Sequence, residues 1–347
     1  MYQRHILRLR GVTSRLQAYP PYAHQHQLPP STKLPHHRAY SSTTGEGTPS
    51  QFTPSNRLTG RTCMITGGTS GIGFAIAERF LQEGASRVIL VGRSHERLNN
   101  AASRLKVSSP SSRSIQSTES QEPVTAEAQQ HHLIEASEKI NLLIGDISEA
   151  GSWARELEKV MQTTNLDILV NAAGLSISSI LPKSEPLDIS RILRTNLEGA
   201  LLTSRAFIRA SIRNRMKKSR DTGSSNQPVP SKCIINISSL LAHKSGTGAV
   251  PYAASKAGIL GLTRSVAVEA AASLRDVTIR SNAIVPGYIE TPMIADFSEG
   301  ETARLKELIP LRRFGRSDEV ADAAVFLAQN EYANNCVLNL DGGLSAV

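Results

Sequence analysis

From residue 58 onward the chain alternates short apolar runs with longer segments whose apolar positions recur at helical spacing. The runs 62–66, 87–91, 140–144, 167–171, 233–238, 278–284 and 336–340 read as strands, most of them predominantly apolar. That is the pattern of strands covered on both faces. Between them the spacing predicts helices near 72–83, 94–106, 149–162, 187–213, 250–273, 301–308 and 317–328. Strict alternation of strand and helix predicts a single α/β domain over 58–347. It should be a doubly wound parallel sheet of about seven strands, with any ligand outside the strands' carboxyl ends. Two segments break the rhythm. Residues 107–132 are rich in Ser, Gln, Glu and Pro, and 217–231 read KKSRDTGSSNQPVPS. Neither can bury enough apolar surface to fold alone, so both are read as surface insertions, their role left open.

Charge separates the first residues from the rest. The 347-residue chain has a formal charge of +9. The first 45 residues hold six basic residues and no acid; setting them aside leaves about +3, ordinary for a soluble enzyme and no argument for nucleic acid. Residues 4–16 set Ile6, Leu7, Leu9, Val12 and Leu16 among arginines, a basic amphipathic pattern. Residues 1–40 are therefore read as a mitochondrial transit peptide, with Arg38-Ala39-Tyr40-Ser41 as a processing site; a basic tail without an address is the alternative. Residues 41–57 read as a Ser/Thr/Pro/Gly linker. No apolar run reaches the ~18 residues a membrane span needs. The three cysteines lack metal-like spacing and are read as buried, reduced thiols outside the secretory route.

The first strand runs into TGGTSGIG, residues 66–73, and then into a helix. Glycines at 67, 71 and 73 allow a sharp turn, close approach to a pyrophosphate and tight helix–strand packing, while the helix N-terminus offers free N–H groups to the anion. The second strand ends in Gly92-Arg93-Ser94, without the acid that would hold an NAD ribose. Arg93 suits the extra phosphate of NADP, with Ser70 as a second contact; a solvated arginine opening a helix is the alternative. Asp146, after the third strand, can bond the adenine amino group or cap the next helix. Asn171-Ala172-Ala173-Gly174 ends the fourth strand with residues small enough for a ribose to lie on the backbone. Tyr252 and Lys256 stand four apart on one helix, so they share a face. An ammonium beside a phenol should draw the tyrosine pKa down from ~10, making Tyr252 a usable proton donor to a ketone oxygen. Ser239 ends the fifth strand and can donate to the same oxygen.

With these motifs in place the chain resembles the short-chain dehydrogenase/reductase family. TGGTSGIG, NAAG, Asn196 in TNLEGA, Ser239, YAASK and VPGYIET occur in the family's order across roughly 58–347. The resemblance implies Tyr252 as acid/base and Lys256 as holder of the nicotinamide ribose. It implies Ser239 as the group that orients the carbonyl, and Asn196 as the holder of a water in the proton relay. Of the two serines, Ser239 has the family's spacing to Tyr252 and Ser238 is its neighbour. For the cofactor, NADPH, it implies Gly67, Thr69, Ser70, Gly71, Ile72, Gly73, Arg93, Asp146, Ile147, Asn171, Ala173, Gly174, Tyr252, Lys256, Pro286, Gly287, Ile289 and Thr291. No metal is implied.

Within the family, GLTRSVAVEAA, VPGYIETPM, IPLRRFGRSDEVADAAVFLA and NLDGGLSAV most resemble the 3-oxoacyl-(acyl carrier protein) reductases. With the leader, this implies type II fatty-acid synthesis in the mitochondrial matrix, a homotetramer built on the helices at 187–213 and 250–273, and an acidic acyl carrier protein as partner. Arg209, Arg213, Arg215, Lys217, Lys218, Arg220 and Arg275 could steer such a partner to the active-site mouth; a solvated basic helix end is the alternative. A carbonyl or quinone reductase and a hydroxyacyl-CoA dehydrogenase stay open as enzyme readings. So does a non-catalytic nucleotide-binding subunit, though it would not require all four catalytic residues.

Overall fold

In the computed structural model, residues 56–107, 133–221, 230–244, 246–274, 277–295 and 297–347 are described. The expected leader, nearly all of the linker, most of both insertions and Arg275 lie outside them. Eight strands form one sheet: β1 (Thr62–Thr66), β2 (Arg87–Gly92), β3 (Leu133–Ser137), β4 (Ile140–Ile144), β5 (Ile168–Asn171), β6 (Lys232–Ile237), β7 (Ile279–Pro286) and β8 (Val337–Leu340). Their spatial order is β3-β4-β2-β1-β5-β6-β7-β8, and every neighbouring pair except β3–β4 is parallel. The chain winds outward from β1 in both directions, so the order reverses between β1 and β5. A crevice for a ligand opens at that switch point.

The apolar runs have a direct cause. Alternate side chains of each strand enter two different cores. Cys63 and Ile65 of β1, with Val88 and Leu90 of β2, pack under α1 (Gly71–Gln82), α2 (His95–Val107) and α8 (Ser317–Gln329). Met64, Ile89 and Val91 face the other way, onto α3 (Ala154–Thr163), α5 (Gly199–Asp221) and α6 (Val250–Ser273), where Trp153, Leu157, Met161 and Phe207 fill the layer. α4 (Pro186–Leu193) and α7 (Glu299–Leu308) stand at the carboxyl edge. The domain's first anchor is Leu58. Its side chain is 1% exposed, and its N–H bonds Glu83 O at 2.8 Å.

Three elements differ from expectation. β3 is an eighth strand, antiparallel to β4 through a two-residue turn, with Leu133 opposite Leu143. Its sequence LIEAS is short and only half buried, so no apolar run announces it. It covers the open edge of β4. The helix expected over 187–213 is a continuous path of α4, a π-helical turn at Arg194–Glu198 and α5. It runs to Asp221, so the start of the expected second insertion is helical.

Candidate active site

The glycine turn is built by contact as much as by conformation. Gly67 has φ +71°, and a Cβ there would lie 2.7 Å from Ala173 Cα. A Cβ on Gly73 would lie 2.4 Å from Gly67 O. Helix α1 therefore sits directly on the turn, and the turn on the Ala173-Gly174 strand end. Ser70 caps α1 in extended conformation with no side-chain capping bond, so the helix end at the carboxyl edge of β1 is not closed by its own side chain. Thr69 packs against Gly92 at the end of β2, and Ile72, just inside α1, borders the core.

Arg93 and Asp146 meet across the crevice rim. Their closest N–O approach is 3.7 Å, and Arg93 is more than half exposed. Such a pair holds little energy by itself, so the guanidinium is available to an anion. Asp146 performs the capping job: Oδ1 accepts from Ser148 N at 2.9 Å, capping the turn at Ile147–Glu149, while Oδ2 faces Arg93. Ile147 is buried beneath, against Gly199. Trp153 donates its indole N–H to Asp146 O at 3.1 Å.

Asn171 ends β5 as expected, and its side chain turns into the core. Its amide donates to Ser204 Oγ at 3.1 Å and Asn236 Oδ1 at 2.9 Å, and Thr203 donates to its Oδ1 at 2.7 Å. Asn236 in turn donates to Thr263 at 3.0 Å. The side chain is spent inside the core, joining β5, β6, α5 and α6, which leaves its backbone for a cofactor. The residue that shapes the strand end is Thr66, which sequence reading missed. Its hydroxyl accepts from the N–H groups of Ala172 and Ala173 at 3.2 and 3.1 Å. Its position as the first residue of the glycine motif was the available signal.

The four expected catalytic residues converge at the carboxyl edge. Ser238 is buried and donates to Lys256 O at 2.8 Å, which leaves Ser239 as the serine beside Tyr252. Ser239 Oγ accepts from Leu241 N at 3.2 Å, and its hydroxyl also hydrogen-bonds Tyr252. Asn196 sits on the π turn, 1% exposed. It accepts from Leu175 N at 2.8 Å and donates to Leu175 O at 2.9 Å and Ser255 Oγ at 3.0 Å. Both amide hydrogens are thus used to tie the β5–α4 loop to α6. Ser255, which donates to Tyr252 O at 2.6 Å, is a second support that sequence reading missed. Gly174 lies against both Lys256 Nζ and Asn196 Oδ1; a Cβ there would be 3.4 and 3.5 Å from them.

The electrostatics correct one expectation. Burial raises the Tyr252 phenol above its ordinary value and outweighs the Ser239 hydrogen bond, which lowers it. Lys256, 4% exposed, donates to Ile237 O at 2.8 Å and stands 5.7 Å from the Tyr252 ring centroid. Burial brings its own pKa down to about 8. In this geometry the lysine does not draw the phenol down; desolvation dominates both groups.

The segment after β7 closes over the glycine turn. Pro286 ends β7, and Gly287 donates to Leu340 O at 2.9 Å. Ile289 is buried, and the Thr291 methyl lies 3.3 Å from where a Gly71 Cβ would be.

The basic residues at the end of α5 lie elsewhere. Arg209 and Arg213 both pair with the buried Glu158 of α3, Arg209 at 3.0 Å. Asn214 donates to Gln162 O at 3.0 Å, beside the amino end of β5. α5 starts at the site and runs antiparallel to the strands, so Arg213 is about 25 Å along the helix from Asn196 at 1.5 Å per residue. The expected placement at this chain's own active-site mouth is therefore wrong: α5 carries these residues to the opposite edge of the sheet. The side chains of Lys218 and Arg220, like Arg275, lie outside the described residues.

Residues 61–118 match the short chain dehydrogenase family, and residues 116–345 match the family described as enoyl-(acyl carrier protein) reductase. The chain belongs to the short-chain dehydrogenase/reductase family. It is 31% identical over 295 residues to a 3-oxoacyl-(acyl carrier protein) reductase of Thermotoga maritima, covering 83% of this chain and 99% of that protein. It is also 31% identical over 287 residues to the human 3-oxoacyl-(acyl carrier protein) reductase, covering 83% and 99%. Among solved structures it is similar to a gluconate 5-dehydrogenase of Burkholderia cenocepacia in complex with NADP and tartrate, at TM-score 0.64 and 26% identity, covering 84% of this chain and 98% of that one. As in other members of this NAD(P)-dependent family, the crevice fits the dinucleotide: a donor-lined helix end, a glycine cradle that a single Cβ would fill, and an exposed arginine at the second strand end. Among the described residues no helix is long and apolar enough to cross a membrane, and no cluster of His, Cys, Asp or Glu could hold a metal. All three cysteines are free thiols, with Cys63 and Cys233 buried and Cys336 half-buried.

Proposed function

We propose that this protein reduces 3-oxoacyl thioesters on acyl carrier protein to 3-hydroxyacyl thioesters with NADPH, in mitochondrial type II fatty-acid synthesis. One observation carries the reading: Ser239, Tyr252 and buried Lys256 meet at the carboxyl edge of a sheet whose second strand ends in Arg93 instead of an acid. The names of the relatives support the substrate class, and the basic leader supports the compartment.

The turn at 67–73, Arg93, Asp146, the 172–174 backbone and the 286–291 segment would hold the cofactor. The bound dinucleotide supplies the hydride. The substrate's C3 carbonyl would lie between Ser239 and Tyr252, where the serine hydroxyl would orient its oxygen. Burial keeps the phenol protonated at neutral pH, so Tyr252 gives its proton to that oxygen as the carbonyl carbon is reduced. Lys256 is a cation below about pH 8 and offsets the negative charge that develops. Asn196 and Ser255 hold the loop and helix that carry these groups in register.

A homotetramer built on α5 and α6 belongs to the same proposal. α6 is apolar on nearly all sides, and Val268 on it is 66% exposed, with Leu201 on α5 and Val250 also exposed. A helix apolar all round is ordinarily covered on its outer face too. Two-fold packing would run the α5 helices antiparallel and bring the basic end of each near the partner's mouth, where an acidic carrier protein would meet it.

The test is NADPH oxidation by residues 41–347 with acetoacetyl-carrier protein and acetoacetyl-CoA, and NADH in parallel. Turnover with carrier protein and NADPH is the expected result. Turnover confined to free ketones or quinones, or to NADH, would place the protein in another branch of the family.

A further inference from the structure

Ser239 sits at the start of a single 3-10 turn, Leu240–Ala242, whose geometry sets where its hydroxyl stands. Behind it the chain is fixed: Ser238 bonds Ile284 O through its N–H and Lys256 O through its hydroxyl, both at 2.8 Å. Ahead of it the turn closes with the N–H groups of His243 and Lys244 on Leu240 O, at 3.0 and 2.9 Å. Past this point the chain crosses to Tyr252 by way of Gly246 and Gly248, a route that holds a turn weakly. Something outside the turn must hold its far end.

We propose that Lys244 is a positioning residue that latches the Ser239 turn to the 341–347 segment and so sets the serine hydroxyl for the reaction. Lys244 Nζ donates to Leu344 O at 3.0 Å and also to Val347 O. The receiving segment is itself rigid. Asp341 accepts from Gly343 N at 2.9 Å and Ser345 N at 3.0 Å, and Leu311 N bonds Gly342 O at 3.2 Å. The same two stretches also meet through apolar contact. Leu240, adjacent to Ser239, packs in one buried cluster with Leu344, Leu305, Ile309 and Phe314. The latch therefore has an apolar half, which holds Leu240, and a charge-assisted half, which holds Lys244. The segment it grips lies beside Gly287, where a Cβ would come within 2.8 Å of Asp341. One rigid block thus buttresses both the Ser239 turn and the 286–291 segment. This inference rests on the reading of Ser239 as the group that orients the carbonyl.

Lys244→Met, Lys244→Arg and a chain ending at Leu344 are compared with Ser239→Ala. The readouts are kcat and KM for acetoacetyl thioester, the Kd for NADPH and the thermal midpoint. Lys244→Met is expected to lower kcat/KM for the thioester about tenfold, the order expected of a modest misplacement of a reacting group, with the Kd for NADPH unchanged. Lys244→Arg should restore most of that loss. Removal of 345–347 in the Lys244→Met background should add nothing to what Lys244→Met alone costs. Full kcat/KM in Lys244→Met overturns the latch, as does a loss that Lys244→Arg fails to rescue or that follows only the fraction unfolded at assay temperature. If Ser239→Ala keeps full activity, the reading of Ser239 fails instead, whatever Lys244 does.

Discussion

At the scale of single residues, desolvation sets the chemistry. Tyr252 is pushed up by burial and Lys256 down to about 8, so at pH 7 the first holds its proton and the second its charge. The signs give a pH profile. Reduction needs a protonated Tyr252, which persists throughout the neutral range, and a charged Lys256, which is lost as pH rises through about 8. kcat/KM for reduction should therefore be level below that point and fall above it; a profile flat to pH 10 would remove the lysine charge from the reaction. Tyr252→Phe should lose about 10²- to 10⁴-fold in turnover, the range of a general acid, while still binding NADPH by fluorescence titration. Retained turnover would refute the proton-donor role. Arg93→Ala should raise the KM for NADPH and leave that for NADH nearly unchanged, because only NADPH presents the second phosphate.

At the scale of elements, the site depends on how closely strand ends, turns and helices approach. Gly73→Ala would drive a methyl to within 2.4 Å of Gly67 O. It should cost about 1–3 kcal/mol of stability through overpacking, and a larger share of NADPH affinity because the turn itself must shift. Thermal melts with and without cofactor separate the two. Asn171→Ala should destabilise by about 1–3 kcal/mol, since Asn236 and Thr203 lose a buried partner. The glycine turn, the strand alternation and the YAASK helix were legible in the sequence because each is a local pattern. β3 was not, because a half-buried edge strand becomes a strand only by pairing with β4. The π turn under Asn196 was not, because its apolar spacing continues that of the flanking helices.

At the scale of the whole molecule, one direction of travel decides where things lie. Every helix that follows a parallel strand returns toward the amino edge, so the path through the π turn and α5 has Asn196 at its site end and Arg213 at the far end. Charge counted along the sequence grouped these basic residues with the catalytic strand that follows them; the fold separates them by the length of a helix. If the outer faces of α5 and α6 are covered by a second copy, Val268→Arg should break the oligomer into smaller species in light scattering, at unchanged secondary structure. Unchanged mass would refute that face as an interface.

The sequence by itself determined what depends on neighbours along the chain. It held a parallel sheet buried on both faces, a phosphate-binding turn between a strand and a helix, and a tyrosine and lysine on one helical face. Periodicity and glycine placement specify these without distant contacts. Only the tertiary structure decided what depends on burial and on partners far away in sequence. It turned Asn171 into the core and made Thr66 the clamp of the Ala172-Ala173 turn. It set the two opposed pKa shifts and moved the basic helix end to the other side of the sheet. Solvent exclusion and long-range hydrogen bonds exist only once the strands have assembled.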